Sequence, residues 1–295
     1  MGLIEDLRRR QLTLDGAMGT MLLSQGLSGC LELANVEHSE VVSDVHRAYI
    51  KAGADIITTN TTCADALCLK PYGLESRSRE LARAGATLAR RVADEFSTTL
   101  QHIYVAGSVG PTSRNLTLAN DTTESDIAQA YADVIGGLIE GGVDMILIET
   151  AMDAKNVTIA IEECRKIDKA IPIVVSAVLS RIAGRVASGA TIEKFLEDIP
   201  TNEVAIVGFN CSNGVKSAEV SLKSLATLTD KPIIFYPAAG QPVAPPNRFA
   251  KELDAVSRAG LLNIIGGCCG TTPEHIASLA KVASRWRPRK FGRNI

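Results

Sequence analysis

A chain of 295 residues with 46% hydrophobic and 22% charged side chains has the composition of a globular protein, long enough for one large α/β barrel or two ordinary domains. Its formal net charge of −2 excludes a broad electrostatic footprint for nucleic acid, and no stretch of about 18 uninterrupted apolar residues predicts a membrane span. The N-terminal MGLIEDLRRRQL lacks the apolar core of a secretory signal, so its seven cysteines are expected in a reducing cytoplasm, bound to metal, reactive or buried rather than disulfide-bonded.

In chain order, eight short apolar and β-branched runs recur: LTLDG (12–16), ADIITTN (54–60), IYVAGSVG (103–110), DMILIET (144–150), PIVVSAV (172–178), VAIVGFNC (204–211), PIIFYPA (232–238) and LNIIGGCC (262–269). Most lack polar alternation, as strands of a parallel sheet buried on both faces do. Segments of helical spacing lie between them. In SEVVSDVHRAYIKAGA the residues Val41, Val42, Val45, Ala48, Tyr49 and Ala52 form one stripe, and ESRSRELARAGATLARRVADEF and TTESDIAQAYADVIGGLIEGG read similarly. Thr123 precedes one helix, and Thr272-Pro273 combines an N-cap threonine with proline at the first helical position. Gly53, Gly142 and Gly260 stand where helix C-caps are expected.

Eight strand–helix units predict a (β/α)8 TIM barrel, a single domain over residues 1–284, followed by a basic C-terminal tail at 285–295. A doubly wound open sheet is the alternative, because spacing does not reveal strand order. The tail, RWRPRKFGR from Arg285 to Arg293, reads as a solvated terminus. The four histidines (38, 46, 102 and 275) fall on helices and their flanks, where surface or capping positions are expected and no catalytic role is assigned.

A barrel collects its functional groups at the C-terminal ends of its strands. The runs end on Asp15-Gly16, Thr59-Asn60, Ser108, Glu149-Thr150, Asn210-Cys211, Tyr236 and Cys268-Cys269. Cys211 closes the sixth run and Cys268 with Cys269 the eighth, so a closed barrel sets them on one rim. Three thiolates and an open position make a tetrahedral zinc site. Three small buried cysteines would produce the same spacing, since no CxxC pair is present.

The motifs DGAMGT (15–20), HRAYIKAGADIITTNT (46–61), GSVGPT (107–112), ET (149–150), GFNCS (208–212) and GGCCGTTPEHI (266–276) resemble the homocysteine S-methyltransferase family, in order and to about residue 284. The GTTPEH continuation is most similar to the homocysteine-binding module of cobalamin-dependent methionine synthase. The resemblance implies one Zn2+ per chain on Cys211, Cys268 and Cys269, and transfer of a methyl group to the thiol of homocysteine to give methionine. A free thiol of pKa about 8.5 is mostly protonated at neutral pH, and ligation to zinc supplies the nucleophilic thiolate. The family assigns Asp15 and Glu149 to the substrate ammonium. The backbone turn from Gly16 and Ala17 would take the carboxylate, and Thr59 and Asn60 border the pocket. The implied donor is a methylcorrinoid protein or a methylfolate-linked module on a separate partner. Within the enzyme class the alternatives are a small donor (S-methylmethionine, S-adenosylmethionine or a betaine) or another thiol acceptor. Outside it stands a non-catalytic zinc- and thiol-binding subunit. Thr62 departs from the family, which usually has an aromatic residue after TNT. Cys63, beside it, is a candidate fourth sulfur or an unrelated thiol.

Overall fold

The computed structural model describes residues 2–117, 121–182, 184–212 and 214–292. Each apolar run holds a strand: β1 (Leu12–Thr13), β2 (Ile56–Thr58), β3 (Tyr104–Val109), β4 (Met145–Ala151), β5 (Ile173–Val178), β6 (Ile206–Asn210), β7 (Ile233–Tyr236) and β8 (Ile264–Ile265). All pair in parallel, in the order β1-β8-β7-β6-β5-β4-β3-β2. The two ends of that order meet, because Leu14 bridges Ile56 and the Asp55 and Asp15 amides donate across the seam to Thr13 and Ile56 at 2.7 and 2.9 Å. The sheet is therefore a closed (β/α)8 barrel and not an open doubly wound sheet.

The absence of polar alternation follows from two apolar environments. One residue set (Leu14, Ile56, Leu147, Val174, Ile206 and Ile234 among them) fills the barrel lumen. The alternate set (Ile57, Val105, Ile146, Val175, Val207 and Ile265) packs outward against the helices. The N-terminal helix Leu3–Arg9 plugs the lumen floor with Leu3 and the fully buried Leu7. Complete burial of such a side chain is worth about 1.5–3 kcal/mol.

The floor is tied by one repeated device. Asp55 and Asp144, each just before a strand, accept the backbone N–H of Thr13 and Val105 at 2.9 and 2.7 Å, and Asn263 accepts that of Ile233 at 3.0 Å. The helices Ser39–Lys51, Ser78–Phe96 and Glu124–Glu140 occupy the segments of helical spacing, and Thr123 forms a capping box with Asp126. Gly53, Gly142 and Gly260 hold the positive φ of helix C-caps. No helix among the described residues is long and apolar enough to cross a membrane.

Two expectations are corrected here. His46 is neither surface nor cap: it is fully buried on the helix Ser39–Lys51, and neither ring nitrogen has a hydrogen-bond partner. Burial pushes its pKa down to about 3. The described part of the basic tail is not a solvated terminus but lies docked on the barrel. The Arg289 N–H donates to the Leu262 carbonyl at 3.0 Å and Gly292 to Asp230 at 2.9 Å, while Arg8 stacks 4.4 Å above the Phe291 ring.

Candidate metal and substrate site

The three cysteines converge at the C-terminal mouth. Cys211 follows β6 with φ +50°, a conformation that a non-glycine residue adopts only when its surroundings hold it. Cys268 and Cys269 lie in the turn after β8. A side chain at Gly267 would stand 2.5 Å from Thr271 Oγ1, and Gly270 has φ +80°, so the turn that presents adjacent sulfurs needs glycine at both places. The turn is also pinned, with Cys268 N–H on the Pro237 carbonyl and Ala239 N–H on that of Cys269, each at 2.9 Å.

The Cys211 and Cys269 sulfurs are 3.5 Å apart, those of Cys268 and Cys269 3.9 Å, and all three lie within 4.8 Å of one another. Tetrahedral sulfurs at a Zn–S distance of about 2.3 Å stand about 3.8 Å apart, so the trio has the spacing of metal ligands. Cys211 and then Cys268 share their thiol hydrogens with Cys269 and hold it down to about 3, which makes it the preferred site of the first negative charge. These three residues can bind a metal ion; among the described residues no other group of His, Cys, Asp and Glu is placed to do so.

Two buried acids, Glu149 and Asp15, belong to the same mouth. Glu149 ends a stretch of β4 whose register shifts between Ile148 and Ala151, and Thr150 beside it has φ +57°. Its Oε1 accepts from Ser108 Oγ at 2.5 Å and Thr62 Oγ1 at 3.5 Å, and its Oε2 from the Tyr236 hydroxyl at 3.1 Å. Asp15 accepts the Thr58 N–H at 2.8 Å and the Thr58 hydroxyl at 3.1 Å. Burial raises the pKa of both, and the negative charge of Glu149 adds to the rise at Asp15. Among the described residues neither acid pairs with a lysine or arginine. Two buried carboxyls supplied only with hydroxyl and amide donors can accept a cation brought from outside.

Asn210 joins Thr150, the neighbour of Glu149, to the Cys268 sulfur. Its carboxamide oxygen accepts from Thr150 N–H at 3.0 Å and Ser176 Oγ at 2.8 Å. Its nitrogen donates to Thr150 Oγ1 at 2.9 Å and reaches Cys268 Sγ at 4.0 Å. One fully buried side chain thus spans β4, β5 and β6 and holds the strained Thr150 in place.

The remaining predicted residues make close contacts and hydrogen bonds within the rim. Gly16 packs so closely that a side chain there would meet Thr271 and Tyr49 at 2.7 Å, and the Ala17 amide is already committed to Thr271 Oγ1 at 3.1 Å. Thr59 Oγ1 lies 2.6 Å from Thr61 Oγ1 and accepts from Ser108 N–H at 2.9 Å. Both amide hydrogens of Asn60 are spent on Leu31 and Asn35, at 2.7 and 3.0 Å. Thr62, at the aromatic position, places a hydroxyl 2.8 Å from Ser108 Oγ and so joins the Glu149 network instead of packing a ring. Cys63 is a free thiol whose amide donates to Glu32 at 3.0 Å, and its sulfur stands outside the trio, so Cys63 is not a fourth ligand beside it. Of the network around the two acids, Thr58, Ser108, Thr150, Asn210 and Tyr236 are residues to which the sequence assigns no contact with metal or substrate. Their signal was only a polar residue ending an apolar strand.

The family model described as homocysteine S-methyltransferase matches residues 12–283. Among solved structures, the oxidised form of the homocysteine methyltransferase MmuM of Escherichia coli is 24% identical with a TM-score of 0.81, over 95% of this chain and 98% of that one. Its metallated form is 26% identical with a TM-score of 0.77, over 93% and 96%. The catalytic domain of a Pyrococcus furiosus chitinase, 10% identical at TM-score 0.54 over 94% and 96% of the chains, shares the barrel alone.

Proposed function

The chain belongs to the homocysteine S-methyltransferase family, and from that membership we propose that it methylates homocysteine to methionine at a zinc ion held by Cys211, Cys268 and Cys269. The observation that carries this reading is the trio of sulfurs at ligand spacing on the same rim as two buried acids that lack a cation, Glu149 being close enough for the Cys269 charge to raise its pKa. Zinc on three thiolates supplies a Lewis acid that draws a substrate thiol into its reactive thiolate form.

The chain's own residues supply orientation. Glu149 and Asp15 take the substrate α-ammonium. Ser108, Tyr236 and Thr62 hold the Glu149 carboxylate by hydroxyl donors, so the acceptor geometry exists before substrate arrives. The turn from Gly16 receives the carboxylate on amides other than that of Ala17. A substrate fixed at that end projects its thiol toward the sulfurs, where the new S–C bond forms as the donor's bond to methyl breaks.

The donor we favour is a methylcorrinoid carried by a separate protein or a methylfolate-linked module. What supports it is the mouth itself: Cys269 is exposed, and Met152, Ile182 and Val243, on loops following β4, β5 and β7, are 38%, 65% and 52% exposed. Such apolar groups around an open site suit a large donor docking face-on. The test is transfer of labelled methyl from methylcobalamin, S-methylmethionine, S-adenosylmethionine and glycine betaine to homocysteine. Methionine from methylcobalamin supports the reading. Methionine from a small donor alone moves the assignment to that branch, and none from any donor leaves a zinc- and thiol-binding subunit.

A further inference from the structure

We infer that His275 is a positioning residue for the metal ligands. It holds the loop after β7 against the turn that carries Cys268 and Cys269, and so sets where those sulfurs stand relative to Cys211. The inference rests on the zinc reading proposed above and concerns how this chain builds that site.

The loop after β7, residues 237–245, lies between the two segments that bear the cysteines. On one side the Cys211 N–H donates to the Tyr236 carbonyl, where β7 ends, at 3.3 Å. On the other, the Cys268 N–H donates to the Pro237 carbonyl and the Ala239 N–H to that of Cys269, each at 2.9 Å. A side chain at Gly270 would stand 3.2 Å from Val243 Cγ2 and 3.6 Å from Ala239 Cβ, so the loop packs on the turn as well as bonding to it. The spacing of the sulfurs therefore depends on where this loop sits. Strand β7 anchors its first end. Its other end returns through the Ala244 N–H to the Ala239 carbonyl at 2.8 Å, and Ala244 is held by His275.

The His275 ring is buried and packs edge-on against Phe249, with centroids 5.5 Å apart at 79°. Its Nε2 lies 2.8 Å from the Ala244 carbonyl, and its Nδ1 3.2 Å from the Thr272 N and 3.0 Å from Thr272 Oγ1. A backbone N–H only donates, so Nδ1 accepts and the ring hydrogen sits on Nε2, where the carbonyl receives it. One ring thus joins the end of the cysteine turn to the end of the loop. The Nδ1 contact caps the helix Pro273–Ala283, and a cap requires nothing more. The Nε2 bond does not serve the helix: its acceptor lies 31 residues away, on the loop that spaces the sulfurs. Outer hydrogen bonds of this kind orient metal ligands, and their loss weakens metal binding about 10–100-fold.

Two variants separate the two nitrogens. His275→Asn keeps an acceptor for the Thr272 N–H but is too short to reach Ala244, whereas His275→Gln carries a donor out to the Nε2 position. Amide hydrogen exchange of the full chain without metal, and zinc affinity against a chelator, would be measured for both. In His275→Asn the amides of Ala239, Ala244 and Cys268 should exchange about tenfold faster or more, with the helix Pro273–Ala283 as protected as in the parent. Zinc should bind about tenfold more weakly or worse, and His275→Gln should return both readouts toward the parent. Parent-like exchange in the loop or parent-like zinc affinity in His275→Asn overturns the inference. So does a His275→Gln variant no better than His275→Asn, or loss of protection along the whole helix, the signature of a cap alone. A parent chain that binds no zinc refutes the proposed function instead, and the exchange readout then decides the inference by itself.

Discussion

His46 offers a clean physical test of the fold. Its imidazole is fully buried, both nitrogens lack partners, and its pKa is pushed down to about 3 from an ordinary 6.5. The folded chain therefore keeps it neutral where the unfolded chain takes up a proton. The associated stability is whole above pH 6.5 and is lost progressively as pH falls toward 3. Between pH 7.5 and 5.0 the linkage amounts to about 2 kcal/mol. His46→Leu removes the titrating group and both orphan atoms at similar volume. At pH 7.5 the relief of two unpaired polar atoms, about 1–3 kcal/mol each, works against any overpacking of similar size. The magnitude at that pH is thus secondary to the slope. Urea unfolding of parent and variant at both pH values isolates the histidine, since every other titrating group is common to the two. The parent should lose about 2 kcal/mol more than His46→Leu on acidification. Parallel losses in the two proteins would refute the account of His46 as a neutral, unpartnered core residue.

Glu149→Gln keeps the shape of the site but removes its charge, and the KM for homocysteine should rise by about 30-fold or more, as for truncation of a buried charge pair. Steady-state kinetics check this, with kcat falling less than kcat/KM. Asn210→Ala leaves Thr150 without its clamp and Cys268 without its neighbouring N–H donor, and zinc affinity measured against a chelator should fall about 10–100-fold. Leu7→Ala opens a void in the lumen floor and should destabilise the barrel by about 2–5 kcal/mol in urea unfolding, with zinc content unchanged at the opposite end.

The strands were legible because both barrel faces are apolar, which leaves unbroken runs such as IIFY and MILI. The rim was legible because polar residues end those runs. Local pattern could not supply the closure between β1 and β2, which rests on the Leu14–Ile56 bridge and two amide bonds across the seam. The division of labour within the TNTTC segment was equally hidden. Thr59 and Asn60 point into supporting bonds, while Thr58, one position before them, and Thr62, two positions after, meet the acids. That exchange depends on how the loop turns after β2, which sequence spacing does not encode. His46 and the tail were misread for a shared reason. A histidine on a helix and a run of arginines both look solvated until tertiary packing covers them.

The central claim is that three sulfurs hold zinc and leave it open to a fourth from homocysteine. X-ray absorption at the zinc edge, on the purified chain with and without homocysteine, tests it directly. The prediction is one zinc bound by Cys211, Cys268 and Cys269, with its sulfur count rising from three to four on adding homocysteine, and loss of the metal in Cys269→Ala. A sulfur shell that does not change when homocysteine is added, or zinc retained at full stoichiometry in Cys269→Ala, would contradict it.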